Sequence, residues 1–228
     1  MQPILNGYAF DPAQTHVRDR IEEIAGTERR RIEISGLIAG KASLEDIEAE
    51  LDAVFHAASE GDWSAELSLR TGRRLWVRRE ACVRRVSPET LTGAFDLTLE
   101  ARDPVEESLI LQTFDWTITE SGATRAFATA GTAPARPLIA LTALGVLIQP
   151  SFSDGARLII YDGVVPEGST LSFDGLLGRV SLDGEDVTPY VTGEFPRVSP
   201  EGAVFSYEDE ASSSHSAAAV VSYRDRWW

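Results

Sequence analysis

The chain has 228 residues, 43% of them hydrophobic, enough to bury a core and too apolar for wholesale disorder. Its net charge of −15 at pH 7 argues against general nucleic-acid binding, which requires neutralising phosphates. A single cysteine, Cys82, excludes an internal disulfide framework, and its alternating flanks predict a reduced structural thiol.

The opening MQPILNGYAF has no basic start leading into a long apolar run. No segment nears the roughly 20 apolar residues of a membrane span. The expectation is a protein made and folded in a reducing cytosol, with no membrane partner. Residues 1–130 hold 15 of the 21 Lys and Arg and 23 of the 36 acids, with basic runs at Arg29-Arg30-Arg31, Arg73-Arg74, Arg78-Arg79 and Arg84-Arg85. A half so dense in both signs fits a solvated surface or a subunit interface.

In chain order, RRIEISGLIAG (30–40) alternates Ile32 and Ile34 with charged neighbours and predicts a strand. A helix is predicted over Ser43–Ser59, where Leu44, Ile47, Leu51, Val54, Phe55 and Ala58 share one face. Ser43 suits the N-cap, acids crowd the first turns, and Gly61 marks the stop. SAELSLR (64–70) places Leu67 and Leu69 on one face. RRLWVRREACVRRVS (73–87) alternates only in part, with Leu75, Val77 and Val83 as its apolar set. TGAFDLTLEARDP (92–104) sets Phe95, Leu97, Leu99 and Ala101 against Asp96, Thr98 and Glu100, and LILQTFDWTITE (109–120) alternates likewise. This half reads as an antiparallel β domain with one packed helix.

The Ala-, Thr-, Gly- and Pro-rich SGATRAFATAGTAPARP (121–137) suggests a boundary near Gly131, hence domains 1–130 and 131–228. Beyond Pro137 no helix is expected. Short apolar runs punctuated about every ten residues by turn signals predict a β-sandwich.

The chemistry turns on LSFDGLLGRVSLDGEDV (171–187), with Asp-Gly at 174–175 and 183–184. A calcium loop would need oxygen ligands where Leu176, Leu177, Val180 and Leu182 stand. An acid pair needs carboxylates about 5–9 Å apart, one with a raised pKa. Two turns that take the backbone to positive φ account for both dipeptides. No nucleophile elbow, phosphate loop, dinucleotide fingerprint or zinc-protease motif occurs. His16, His56 and His215 stand in no recognisable constellation, so no metal, cofactor or catalytic residue is assigned and the chain reads as a non-enzyme.

The order of these segments resembles the distal tail protein family of long-tailed (siphovirus-type) bacteriophages. RRIEISGLIAG, the 43–59 helix, RRLWVRREACVRRV and FDLTLEARDP resemble the successive elements of that family's N-terminal domain. AGTAPARPLIAL, the run GSTLSFDGLLGRVSLDGEDVTPYVTGEFPRVSPEGAVFSY and the closing VVSYRDRWW are similar to its galectin-like sandwich. Ala203 stands where an Asn is common, and the short sandwich leaves no room for the inserted arm some members carry.

The resemblance implies a baseplate hub protein of the virion tail tip, assembled in the host cytoplasm. Six copies would form a ring joining the tail tube protein to the tail-tip and receptor-binding proteins, with DNA or the tape measure protein only passing through the lumen. Arg29, Arg30, Arg31, Arg73, Arg74, Arg78, Arg79 and the 109–120 strand are the expected ring contacts. The alternative is a carbohydrate-binding sandwich module with Trp227 and Trp228 as its stacking platform.

Overall fold

The computed structural model describes residues 2–24 and 26–228. The chain is mainly β, in two compact units, Met1–Leu109 with Trp228, and Ile110–Trp227.

The first unit contains β1 (Ile4–Leu5), β2 (Tyr8–Ala9), β3 (Thr15–Ile24), β4 (Thr27–Ile38), α1 (Leu44–His56), β5 (Ala65–Ser68), β6 (Arg73–Ser87), β7 (Thr92–Ala101) and β8 (Glu106–Ser108). Its antiparallel sheet runs β2-β1-β5-β6-β7-β4-β3, and β8 pairs with β6 through Arg73–Ser108 and Arg74–Glu107. The long β3–β4 hairpin, in register from Thr15–Gly36 to Ile24–Thr27, had no counterpart in the sequence reading.

The helix starts as predicted, with Ser43 Oγ accepting from the Asp46 N–H at 3.2 Å. It ends at His56, three residues before the expected Ser59, and Arg79 reaches the Phe55 carbonyl in its last turn. A cation there satisfies an orphan acceptor and complements the helix dipole. Ile47, Leu51 and Val54 are buried against Ile32, Ile34, Leu75, Val77, Leu97 and Leu99. Each such side chain contributes about 1.5–3 kcal/mol by leaving water. Gly93 allows the close approach, since a Cβ there would lie 2.8 Å from Ile47 Cγ2.

One feature of β6 corrects the sequence reading. The β6–β7 register shifts between Arg79 and Ala81, so Glu80 is an extra, bulged residue. Leu75 and Val77 before the bulge face the helix, whereas after it Cys82 and Val86 do. Val83, expected beside Leu75 and Val77, therefore lies on the opposite face and is exposed. Burial raises the Cys82 thiol pKa, as befits a packing residue.

The second unit contains β9 (Gln112–Ile118), β10 (Thr124–Phe127), β11 (Leu138–Ala143), β12 (Leu147–Ile148), β13 (Ser151–Ser153), β14 (Leu158–Tyr161), β15 (Val164–Val165), β16 (Thr170–Asp174), β17 (Arg179–Leu182), β18 (Glu185–Asp186), β19 (Val191–Gly193), β20 (Ala203–Glu208), β21 (Ala217–Tyr223) and β22 (Arg226–Trp227). A sheet of order β18-β17-β16-β11-β21-β9 shares one core with a second of order β10-β20-β13-β14-β19. Phe152 lies at the centre, 5.5 Å from the rings of Phe173 and Tyr207 and 5.9 Å from Trp116. A single 3₁₀ turn, Thr188–Tyr190, is the exception to the helix-free reading of this half.

Strand β9 was read as part of the first half. It pairs with β21 over seven residues, from Gln112–Tyr223 to Ile118–Ala217, and buries Trp116 and Ile118 in the sandwich. The division between the compact units therefore falls at 109/110, ahead of the expected boundary near Gly131.

Candidate functional site

Because side chains alternate across a strand, the register sorts the charged residues of the first sheet by face. With α1 covering one face, the other carries Arg18 and Arg20 on β3, Arg29 and Arg31 on β4, and Arg78 and Arg85 on β6. Its acids are Glu22, Glu33, Glu80, Asp96 and Glu100, and Glu66 on β5 shares the face with Arg74 of β6. Arginines and carboxylates are therefore interleaved across this face, and most of the arginines have an acid within 4 Å.

Arginines are densest in the cross-strand row Arg20–Arg31–Glu100–Arg78. Glu100, mostly buried, takes Arg78 Nε at 2.8 Å on one oxygen and Arg29 NH1 at 3.1 Å on the other. Arg31, directly opposite Glu100, is 3.7 Å from each of Glu33 and Glu80, beyond a good hydrogen bond. On its other side Arg31 stands opposite Arg20, a like-charged cross-strand pair of the kind that destabilises a sheet. Arg78 also lies over the Trp63 ring at 4.1 Å. Beside this row, His16, Arg18, Glu33, Ser35, Asp96 and Thr98 line a shallow depression of about 270 Å³.

The seven arginines singled out in the sequence have different environments. Arg30 is buried, donating to Asp19 at 2.8 and 2.6 Å, to Glu106 at 2.9 Å and to the Pro104 carbonyl at 2.9 Å. Arg79 is buried too, bound to Glu60 at 3.0 Å and to the Phe55 carbonyl, with its guanidinium 3.7 Å from the Phe55 ring centre. Arg74 bridges Glu107 at 2.8 Å and Glu66 at 3.0 Å, over Trp76. Arg73 lies 3.6 Å from Glu106. Arg29, Arg31 and Arg78 are brought together around Glu100. The sequence reading missed Arg18, Arg20 and Trp63, although the alternating basic residues of HVRDR (16–20) carried a strand signal.

The two Asp-Gly dipeptides resolve differently. Asp183 (φ 49°) and Gly184 (φ 88°) form the two-residue turn between β17 and β18, as predicted. The Thr170 N–H donates to Asp183 and holds its carboxyl below the usual range. Gly175 does not need positive φ. It allows a close approach instead, since a Cβ there would lie 2.8 Å from the Pro137 carbonyl oxygen. Asp174 Oδ1 accepts the N–H groups of Leu176 and Leu177, both at 2.9 Å. Both carboxylates are engaged with backbone donors.

His215 Nδ1 lies 2.6 Å from Asp209, whose other oxygen accepts from the Tyr207 hydroxyl at 2.9 Å. His16 and His56 are exposed. Among the described residues no three His, Cys, Asp or Glu side chains are grouped to hold a metal. Among the described residues no helix is long and apolar enough to cross a membrane. Trp227 is half-buried in β22, whereas Trp228 is 54% exposed.

No protein-family model matches the chain, and no curated protein matches its sequence. Its fold is that of a solved structure, the Dit (gp 19.1) protein of phage SPP1, described as a paradigm of the hub adsorption apparatus in phages infecting Gram-positive hosts. The TM-score is 0.71 at 12% identity, covering 100% of this chain and 99% of that one.

Proposed function

We propose that this chain is a structural component of a phage tail tip, a distal tail protein whose copies form the hub ring. The observation that carries this reading is the likeness to SPP1 Dit, which extends through both units rather than one shared domain. The order of motifs in the sequence supports the same reading.

In this proposal six copies close a ring between the tail tube protein and the tail-tip and receptor-binding proteins, with the galectin-like sandwiches outward. We assign ring contacts to the sheet edges. Strand β3 is a ten-residue edge and β2 forms the opposite one. Two different edges joined head to tail make a heterologous contact, which closes into a ring when the rotation permits. Arg30 and Arg79 satisfy acceptors within their own chain, which leaves them little to offer a neighbour. Because α1 occupies one face of the sheet, the open arginine-bearing face is the one left to line a channel for DNA and the tape measure protein. The role is architectural, performed in the virion after assembly in the host cytoplasm.

The test is negative-stain microscopy of the full chain with its mass in solution. Six-fold rings of about six times 24.9 kDa with an open centre support the reading. Monomers that fail to close into rings even when mixed with the cognate tail-tube protein would sink it.

A further inference from the structure

We infer that the end of the sandwich formed by Tyr190, Asp162 and Gln149 is a binding site for a neutral pyranose sugar, with the Tyr190 ring as its stacking platform. The three residues lie just past the paired ends of strands in one sheet, Gln149 before β13, Asp162 after β14 and Tyr190 before β19. Asp162 joins them, its Oδ1 accepting from Gln149 Nε2 at 2.5 Å and its N–H donating to the Tyr190 carbonyl at 2.8 Å. Tyr190 is 62% exposed, more than Trp228 at 54% or Trp63 at 36%. Its backbone is stiff all the same. Pro189 lies within the 3₁₀ turn Thr188–Tyr190, and the Tyr190 N–H donates to the Val187 carbonyl at 2.9 Å. The Thr188 hydroxyl donates to Asp186 at 2.6 Å and accepts from the Val180 N–H at 2.9 Å. An aromatic ring held open on a rigid turn loses little conformational entropy when it meets a ligand.

The polar groups beside the ring fit hydroxyls. The second oxygen of Asp162 and the Tyr190 hydroxyl have no hydrogen-bond partner among the described residues, and Gln149 keeps its amide oxygen and one amide proton for a ligand. A pyranose turns an apolar C–H face to an aromatic ring and carries hydroxyls at its rim, which a carboxylate accepts and an amide both accepts and donates to. Gln149 adds a second sign. Its φ of 51° is left-handed backbone that glycine adopts freely and a glutamine adopts with strain. Such strain gathers at binding sites, and here the side chain it places is the one that holds the Asp162 carboxylate. The sugar is neutral because the site is acidic. Glu208 and Glu210 lie at the end of β20, the Glu210 N–H donating to the Ile148 carbonyl at 3.0 Å, and Arg179 on β17 is paired with Asp186 at 3.3 Å. A uronate or a phosphate-bearing glycan would meet like charge. One sugar on one ring binds weakly, and several copies on one particle would raise the affinity through effective concentration. The site goes beyond the ring reading and does not depend on it, since one copy carries all three residues.

The test is saturation-transfer difference NMR of the full chain, its mass measured in the same buffer. The probes are methyl β-D-glucopyranoside, methyl β-D-galactopyranoside and methyl α-L-rhamnopyranoside, with sodium glucuronate as the anionic control. Expected is millimolar binding of at least one neutral glycoside, strongest at its C–H protons, and no transfer to glucuronate. Tyr190→Ala should abolish the signal, and Tyr190→Phe, which keeps the ring, should retain it. Asp162→Ala should weaken binding by about threefold or more, as loss of one hydrogen bond requires. Gln149→Gly should weaken it likewise with a melting temperature no lower than the parent's, which separates loss of the ligand from loss of the fold. The control Trp228→Ala should bind like the parent. No transfer to any of the three glycosides, a signal retained in Tyr190→Ala, equal loss in Trp228→Ala, or equal transfer to glucuronate overturns the inference. So does parent-like binding by both Asp162→Ala and Gln149→Gly. Monomers that bind a glycoside uphold the site while counting against the ring; rings that bind none do the reverse.

Discussion

Arg30 and Glu106 lie 76 residues apart in the chain, yet their side chains meet at 2.9 Å and are only 3% and 2% exposed. Arg70 at 2.6 Å and Arg73 at 3.6 Å also reach Glu106, and Asp19 takes two further bonds from Arg30. A buried ion pair of this kind ties the β3–β4 hairpin to the end of the sheet. Removing one partner leaves the other charge uncompensated in a low-dielectric site.

Arg30→Ala is therefore expected to destabilise the first unit by about 3 kcal/mol, nearer the low end of the range for buried pairs because Arg70 and Arg73 still face Glu106. Arg29→Ala, on the open face, should cost under about 1 kcal/mol. Urea unfolding of both variants measures the contrast, and equal losses would show that burial of the Arg30 pair contributes nothing special.

Asp154 gives a pH dependence of defined sign. Burial pushes its carboxyl pKa up, but hydrogen bonds from the backbone N–H groups of Arg197, Arg157 and Ala156 outweigh that and hold it below the usual range. The ionised form stabilises the folded state, so its contribution is complete above the unfolded value of about 3.9 and disappears as pH falls through the depressed folded value. Asp154→Asn should cost about 1–3 kcal/mol at pH 7. The gap to the parent should narrow below about pH 4. Thermal melts from pH 3 to pH 7 give the answer, and a gap that widens on acidification contradicts the assignment.

Gly131 is expected to tolerate no side chain. A Cβ there would stand 2.1 Å from the Arg226 carbonyl oxygen, backbone that cannot rotate away. Gly131→Ala should destabilise the sandwich by about 1–3 kcal/mol or more, through overpacking. Gly61→Ala, with nothing within 4 Å, should be close to neutral. Melting temperatures of the two variants provide the comparison.

Asp183→Asn should leave the melting temperature essentially unchanged, since Asn-Gly suits the same turn and its amide oxygen can still accept from the Thr170 N–H. Gly184→Val should be much worse, because a β-branched residue is strained at φ 88°. A large loss in Asp183→Asn would mean that the charge, rather than the turn, matters there.

Period and local propensity were legible in the residues themselves. The alternation of Phe95, Leu97 and Leu99 with Asp96, Thr98 and Glu100 placed β7 and both its faces, and the apolar face of the helix with Ser43 before it placed α1. The turn at Asp183-Gly184 followed from backbone preference alone. These features depend on neighbours a few positions apart, which is the range over which a sequence carries its own geometry.

Tertiary structure decided what depends on distant partners. The Glu80 bulge moved Val83 to the open face because one extra residue reverses the alternation of β6 against its partner β7. Strand β9 joined the sandwich because β21, about a hundred residues later, offers it a seven-residue edge and its Trp116 a core. The arginine runs looked alike in the sequence, but Arg30 became an internal ion pair and Arg31 a surface group, since adjacent residues on a strand point to opposite faces. Alternation along the chain determined which residues share a face. Only the pairing of strands decided what each face meets, because long-range contacts and the desolvation that goes with them have no local signature.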